Sequence, residues 1–212
     1  MKKIIFCLIL ILMISGCDKA PEELKDAIVI DESAVAVLSL VSYDGKDESK
    51  YGLMNLGHTF LTILNVSSAD ISVYGVEISP SEEITFSAWN TSLHAGVWFN
   101  IESAYIHEFD RYASRYSLSY GLSLEDIGIL NSYISENDIW TPRKNCSYFS
   151  INLWNTVVDD NSKLDANLVT TPAGLKKEIM LFEGYTFGKA IAYNEAMGYF
   201  KDSEFREYRM EE

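Results

Sequence analysis

Apolar and β-branched residues fill Ala34-Val35-Ala36-Val37-Leu38-Ser39-Leu40-Val41-Ser42-Tyr43 without helical caps, which predicts a strand. A charged loop with an Asp44-Gly45 turn signal follows, and Gly57-His58-Thr59-Phe60-Leu61-Thr62-Ile63-Leu64-Asn65-Val66 predicts a second strand starting near His58. Ser67 to Asp70 reads as a turn, Ile71 to Ile78 as the returning strand, Ser79-Pro80-Ser81-Glu82 as another turn, and Glu83 to Trp89 as another strand. Consecutive strands joined by such turns predict an antiparallel meander. His94 to Glu102 reads as one more strand of this kind, whereas the mixed aromatic pattern from Ala104 to Tyr120 fixes no element.

The second half changes period. Ser123 with Asp126 three residues on forms a capping-box start, and Leu124, Ile127, Leu130 and Ile134 keep helical spacing to about Ser135. Pro142 disfavours helix in the residue before it, so the chain reaches the next helix from a loop. From Ser147 onward, Phe149, Leu153 and Trp154 recur at helical spacing, which puts Cys146 at or just before a helix start. Pro172 opens a short helix, Phe182 to Phe200 is aromatic and expected on the sheet, and residues 201–212 read as a charged, solvated tail. The pattern as a whole predicts one α+β domain over residues 34–200, an antiparallel β-meander or partial barrel packed against helices. The chain shows no internal repeat, low-complexity tract or Gly-rich phosphate loop.

The N-terminus speaks to compartment. Lys2 and Lys3 precede an apolar run from Ile4 to Ile14 that is too short to span a bilayer comfortably, as in a secretory signal. Ile14-Ser15-Gly16-Cys17, followed by polar Asp18-Lys19, resembles the bacterial lipobox. That resemblance implies removal of residues 1–16 and lipidation of Cys17 with diacylglycerol and palmitate-type acyl chains, leaving residues 17–33 as a tether with a short helix around Glu22 to Ile28. The expected place is the cell envelope, held by lipid on the periplasmic side of the inner or the outer membrane. Asp18 resembles an inner-membrane retention signal, and both membranes stay open.

Composition narrows the chemistry. The formal charge of −14 argues against nucleic acid and against electrostatic docking on anionic lipid. Of three cysteines, Cys7 would leave with the signal and Cys17 would be acylated, so Cys146 is the one free thiol of the expected mature chain and an intramolecular disulfide is excluded. An unpaired thiol in an oxidising compartment calls for an explanation. Cysteine-rich zinc sites are excluded, His58, His94 and His107 form no HExxH pattern, and no metal or other cofactor is expected. At a helix start, unsatisfied N–H groups and the dipole favour a thiolate, the form in which cysteine acts as a nucleophile.

Gly57-His58-Thr59-Phe60 on an early strand and Asn145-Cys146-Ser147-Tyr148-Phe149 at a later helix start, with Leu153-Trp154-Asn155 beyond, together resemble a known family. It is the circularly permuted papain-like proteins related to the NlpC peptidoglycan hydrolases, which include the lecithin retinol acyltransferase group. The resemblance spans roughly Ala34 to Ile179. It implies Cys146 as nucleophile, His58 as its base and the Cys146 N–H in an oxyanion hole, with Asn145 either adding a side-chain donor there or capping the helix. The family places a polar orienting residue after the histidine. A turn centred on Ser67-Ser68 pairs His58 with a position near 77 and points to Glu77; Asp70 fits a tighter turn. Asn65 lies seven residues along the strand, about 23 Å away. His94 and Glu102 are cleft candidates, with core or surface roles as the alternative. The expected function is a cysteine hydrolase of amidase or peptidase type on a lipoprotein, acting on peptidoglycan or other peptide substrates. The alternatives are a non-catalytic binding lipoprotein on the same fold and a lipid-directed thiol acyltransferase.

Overall fold

The computed structural model describes residues 24–46, 57–166 and 171–209 of the chain. Cys17 and the expected signal segment lie outside the described residues.

The chain folds as α+β, with four α-helices and a large antiparallel sheet that does not close into a barrel among the described residues. The strands are β1 (Ala36–Tyr43), β2 (His58–Asn65), β3 (Ile71–Val73), β4 (Val76–Ile78), β5 (Glu83–Asn90), β6 (Ala95–Phe99), β7 (Tyr116–Leu122), β8 (Thr186–Phe187), β9 (Gly198–Lys201) and β10 (Glu204–Glu207). The helices are α1 (Ile101–Phe109), α2 (Leu124–Glu136), α3 (Cys146–Val157) and α4 (Pro172–Ile179). Eight strands form the sheet in the order β10-β9-β6-β5-β2-β1-β7-β8, and β3 and β4 stand apart as a hairpin. Among the described residues no helix is long and apolar enough to cross a membrane.

Strand alternation sorts the two faces of the sheet. Leu38 and Leu40 stand opposite Ile63 and Leu61, Leu61 opposite Phe86, and Phe86 opposite Phe99. With Ile127, Leu130 and Ile134 of α2, Phe149, Leu153 and Trp154 of α3, and Leu175 and Ile179 of α4, they form the main core. The other face carries Val41, Tyr43 and Phe60, packed with Tyr112, Ile191 and the α1 residues Tyr105 and Ile106. β1 and β2 are covered on both sides, which is why their sequences are nearly continuous apolar runs.

The local signals at three helix starts are realised. Ser123 and Asp126 close a capping box on α2, Asn145 caps α3 by accepting the Tyr148 N–H at 3.0 Å, and Pro172 starts α4 behind the Thr171 cap.

The meander differs from expectation. Residues 71–78 are not one strand but the β3–β4 hairpin, because Tyr74 and Gly75 both have positive φ, 51° and 87°, the backbone a two-residue primed turn requires. Asn131 of α2 holds this hairpin, accepting from the Tyr74 N–H at 2.8 Å and donating to the Ser72 carbonyl at 3.2 Å. β2 therefore pairs with β5 directly, Leu61 against Phe86 and Thr62 against Thr85. The strand expected over His94 to Glu102 stops at Phe99, where Asn100, at φ 62°, turns the chain into α1.

Two end segments also differ. Residues 24–28 are extended rather than helical. Lys25 donates its N–H to the Leu181 carbonyl at 2.7 Å and accepts from the Glu183 N–H at 2.8 Å. The region read as a solvated tail continues the sheet: Asp202 and Ser203, both at positive φ, turn β9 into β10, a charged edge strand.

Candidate active site

His58 is the first residue of β2, opposite Tyr43 of β1, and Cys146 is the first residue of α3. The Thr59 hydroxyl on β2 and the Ser147 hydroxyl on α3 lie 3.0 Å apart, tying the helix start to the strand start. The His58 ring lies close enough to the Cys146 thiol to act on it by charge and hydrogen bonding, with the Thr59 backbone and the Ser147 hydroxyl adding to the effect.

The other side of the His58 ring meets Glu102. His58 Nε2 lies 2.9 Å from Glu102 Oε1, so Nδ1 is the nitrogen left to face the thiol. Glu102 is in the first turn of α1, where a carboxylate is favoured by the helix dipole, and it is fully buried. Its other donors are the Trp89 indole N–H, 2.7 Å from Oε1, and the Thr85 hydroxyl, 2.9 Å from Oε2. Three donors on one buried carboxylate satisfy it and fix its orientation. Asn100 sets the helix start: it donates its backbone N–H to the Thr85 carbonyl at 2.8 Å, while its side chain accepts the Thr85 N–H at 2.9 Å and donates to the Ala196 carbonyl at 2.8 Å.

Aromatic rings wall the imidazole. The Trp89 ring centroid is 4.3 Å from that of His58, with Tyr112 at 5.7 Å and Phe60 at 6.0 Å. Such faces exclude water while stabilising a cation.

The electrostatics run against burial. Burial alone would push the His58 value down, yet the Cys146 thiolate and the Glu102 carboxylate hold its proton and push it up to about 9. For Cys146, burial works to raise the value, and the His58 charge and hydrogen bond outweigh it, helped by the Thr59 backbone and the Ser147 hydroxyl. The net direction is down, below the ordinary 9.0. Each partner's charge overcomes the desolvation of the other, and the favoured state is thiolate with imidazolium.

The candidates read from sequence are placed as follows. Cys146, His58 and Glu102 come together, with Glu102 on a helix rather than on a strand. Glu77 does not join them: it is exposed on β4 opposite Ser72, because the hairpin takes it away from the sheet that holds His58. The observed β2–β5 register, continued, brings His58 abreast of Trp89 instead. Asp70 is exposed before β3, and Asn65 is occupied with the Ala69 and Ile78 carbonyls at 2.8 Å each. Asn145 serves as the helix cap. His94 lies apart, 2.8 Å from Asp138 Oδ1 and stacked on Tyr199 at 4.9 Å. His107 meets the Ile191 carbonyl at 2.7 Å.

Sequence reasoning missed the parts played by Trp89, Thr85, Thr59, Ser147 and Tyr112. For Glu102 a local signal was present: Asn100 ahead of an acid in the first turn is a helix-start pattern.

No protein-family model, curated protein or solved structure matches the chain.

Proposed function

We propose that the protein is a cysteine hydrolase of amidase or peptidase type, on a permuted papain-like arrangement in which the histidine strand precedes the cysteine helix. The observation that carries this is the array Cys146, His58, Glu102, with His58 and Glu102 buried and Cys146 half-buried, in which the His58 charge lowers the Cys146 value and Glu102 holds the far side of the ring.

The chemistry follows from the geometry. The Cys146 sulfur attacks an acyl carbon, and the carbonyl electrons move to oxygen. The Cys146 N–H, without an intrahelical acceptor at the first position of α3, faces the developing charge. Collapse of the oxyanion breaks the bond to the leaving amine or alcohol, which takes the proton from His58. Neutral His58 then accepts a proton from water as its oxygen attacks the thioester. The acid departs and the thiolate–imidazolium pair is restored. Glu102 keeps Nε2 protonated, so Nδ1 does the proton transfer. The substrate class favoured by the expected lipid anchor at Cys17 and envelope location is peptidoglycan stem peptides or other envelope peptides.

Incubation with an activated ester, followed by mass spectrometry, tests the reading. An acyl adduct on Cys146 that turns over in the wild type, and that persists or never forms in His58→Ala, is expected. Absence of any adduct on Cys146 would remove the catalytic reading and leave the non-catalytic binding lipoprotein. An adduct passed to a lipid amine or hydroxyl in preference to water would favour the acyltransferase.

A further inference from the structure

The catalytic array as proposed carries one negative charge in excess, thiolate and Glu102 against a single imidazolium, in a chain of formal charge −14. Such a site repels anions. Yet the two residues just before the Asn145 cap are Arg143 and Lys144, both exposed and neither in an ion pair or side-chain hydrogen bond among the described residues.

Their position is fixed. The Thr141 N–H donates to the Lys144 carbonyl at 3.1 Å, and the Lys144 N–H donates to the Thr141 hydroxyl at 2.9 Å, closing the turn around Pro142 and Arg143. The Trp140 N–H donates to the Ala95 carbonyl at 2.9 Å, and Asp138 accepts the Val97 N–H at 2.6 Å, so the loop is moored to β6.

Cations at this place work against the helix. The N-terminus of a helix favours acids, and the first turn of α3 has none. Two unpaired cations there raise the free energy of α3 and bring nothing back through contacts within the fold. Consecutive Cα atoms are about 3.8 Å apart, so the Lys144 Cα is within about 8 Å of the Cys146 Cα and the Arg143 Cα within about 11 Å. Those spans place both residues beside the start of α3, where an anion approaching Cys146 meets their charge, screened over a Debye length of about 8 Å at physiological salt.

We infer that Arg143 and Lys144 select a substrate bearing a carboxylate near its acyl carbon, reversing the local repulsion and drawing that anion to Cys146. This rests on the proposed function of the site. They are specificity residues: they hold the substrate's charge and take no part in bond making.

The test needs no knowledge of the natural substrate. Alkylation of Cys146 in the full-length protein is followed by site-resolved mass spectrometry with iodoacetate, an anion, and iodoacetamide, its neutral analogue. In R143Q/K144Q the ratio of the iodoacetate to the iodoacetamide rate is expected to fall about threefold at an ionic strength of about 0.01 M, and by less at about 0.15 M. R143E/K144E should lower it further. Melting temperatures of both variants are expected to match or exceed the wild type, since the helix start loses a like-charge penalty. A ratio that stays at the wild-type value in both variants overturns the inference while leaving the catalytic reading intact. A Cys146 inert to both reagents overturns both.

Discussion

Glu102 stands 44 residues after His58, and its Oε1 lies 2.9 Å from the histidine's Nε2. That contact turns a cysteine–histidine pair into a three-membered array. It exists because β2 pairs with β5 and because α1 begins directly after β6.

Glu102→Gln should fold. Its amide oxygen can still accept from His58 and Trp89, and its NH₂ meets the Thr85 hydroxyl, which can accept. The lost charge lets the His58 value fall and the Cys146 value rise, and a one-unit rise cuts the thiolate-dependent alkylation rate about tenfold where the thiol is mostly protonated. Glu102→Ala leaves buried donors unpaired and should cost about 3–5 kcal/mol in chemical denaturation. Wild-type alkylation by Glu102→Gln would show that the carboxylate does not act on the pair.

Asn145 offers a separation of cap from charge. Asn145→Ala should lose about 1 kcal/mol of stability. Asn145→Asp caps equally well but sets a carboxylate beside the thiolate, so stability is kept while alkylation of Cys146 near neutral pH slows. Parallel denaturation and alkylation of the two variants check this.

Gly96 lies under the mooring of the loop that leads to Cys146. A methyl group there would collide with the Asp138 carboxylate and the His94 ring, and Asp138 is held by the Val97 N–H. Gly96→Ala should destabilise the protein by about 1–3 kcal/mol, read as a lower melting temperature. An unchanged melting temperature would show that the loop is not moored through Asp138.

The pair also sets how stability responds to pH. The raised His58 value gives stability that is complete below its ordinary 6.5 and lost as pH rises through about 9. The lowered Cys146 value gives stability that is complete above 9.0 and lost as pH falls through its folded value. Below about 9 the two oppose each other until pH reaches the folded Cys146 value. The unfolding free-energy difference between wild type and Cys146→Ser should therefore shrink as pH falls through that value. A difference that stays constant down to acid pH would contradict the pairing.

The two buried strands and the starts of α2, α3 and α4 were legible because their signals are local: apolar β-branched runs, a capping box, Asn145, Pro172. Cys146 and His58, the proposed nucleophile and base, were legible for the same reason, each lying at the start of such an element. The third member was not. Its place depends on which strand pairs with β2, and that was hidden by the inserted β3–β4 hairpin, whose Tyr74-Gly75 turn does not follow the usual Asn-Gly pattern. It depends as well on Asn100 in a left-handed conformation, which converts an apparent strand continuation into a helix. β10 escaped notice because a charged edge strand has the composition of a solvated tail.

The most direct measurement is the pH profile of iodoacetamide alkylation at Cys146, in wild type and His58→Ala. In the wild type the rate should rise at a lower pH than for an ordinary thiol of 9.0, because the His58 charge holds the Cys146 value down. In His58→Ala the half-buried thiol has lost its counter-charge, so the rate should be low at neutral pH and rise only near or above 9.0. Superimposable profiles would contradict the account, since His58 would then have no hold on the state of Cys146.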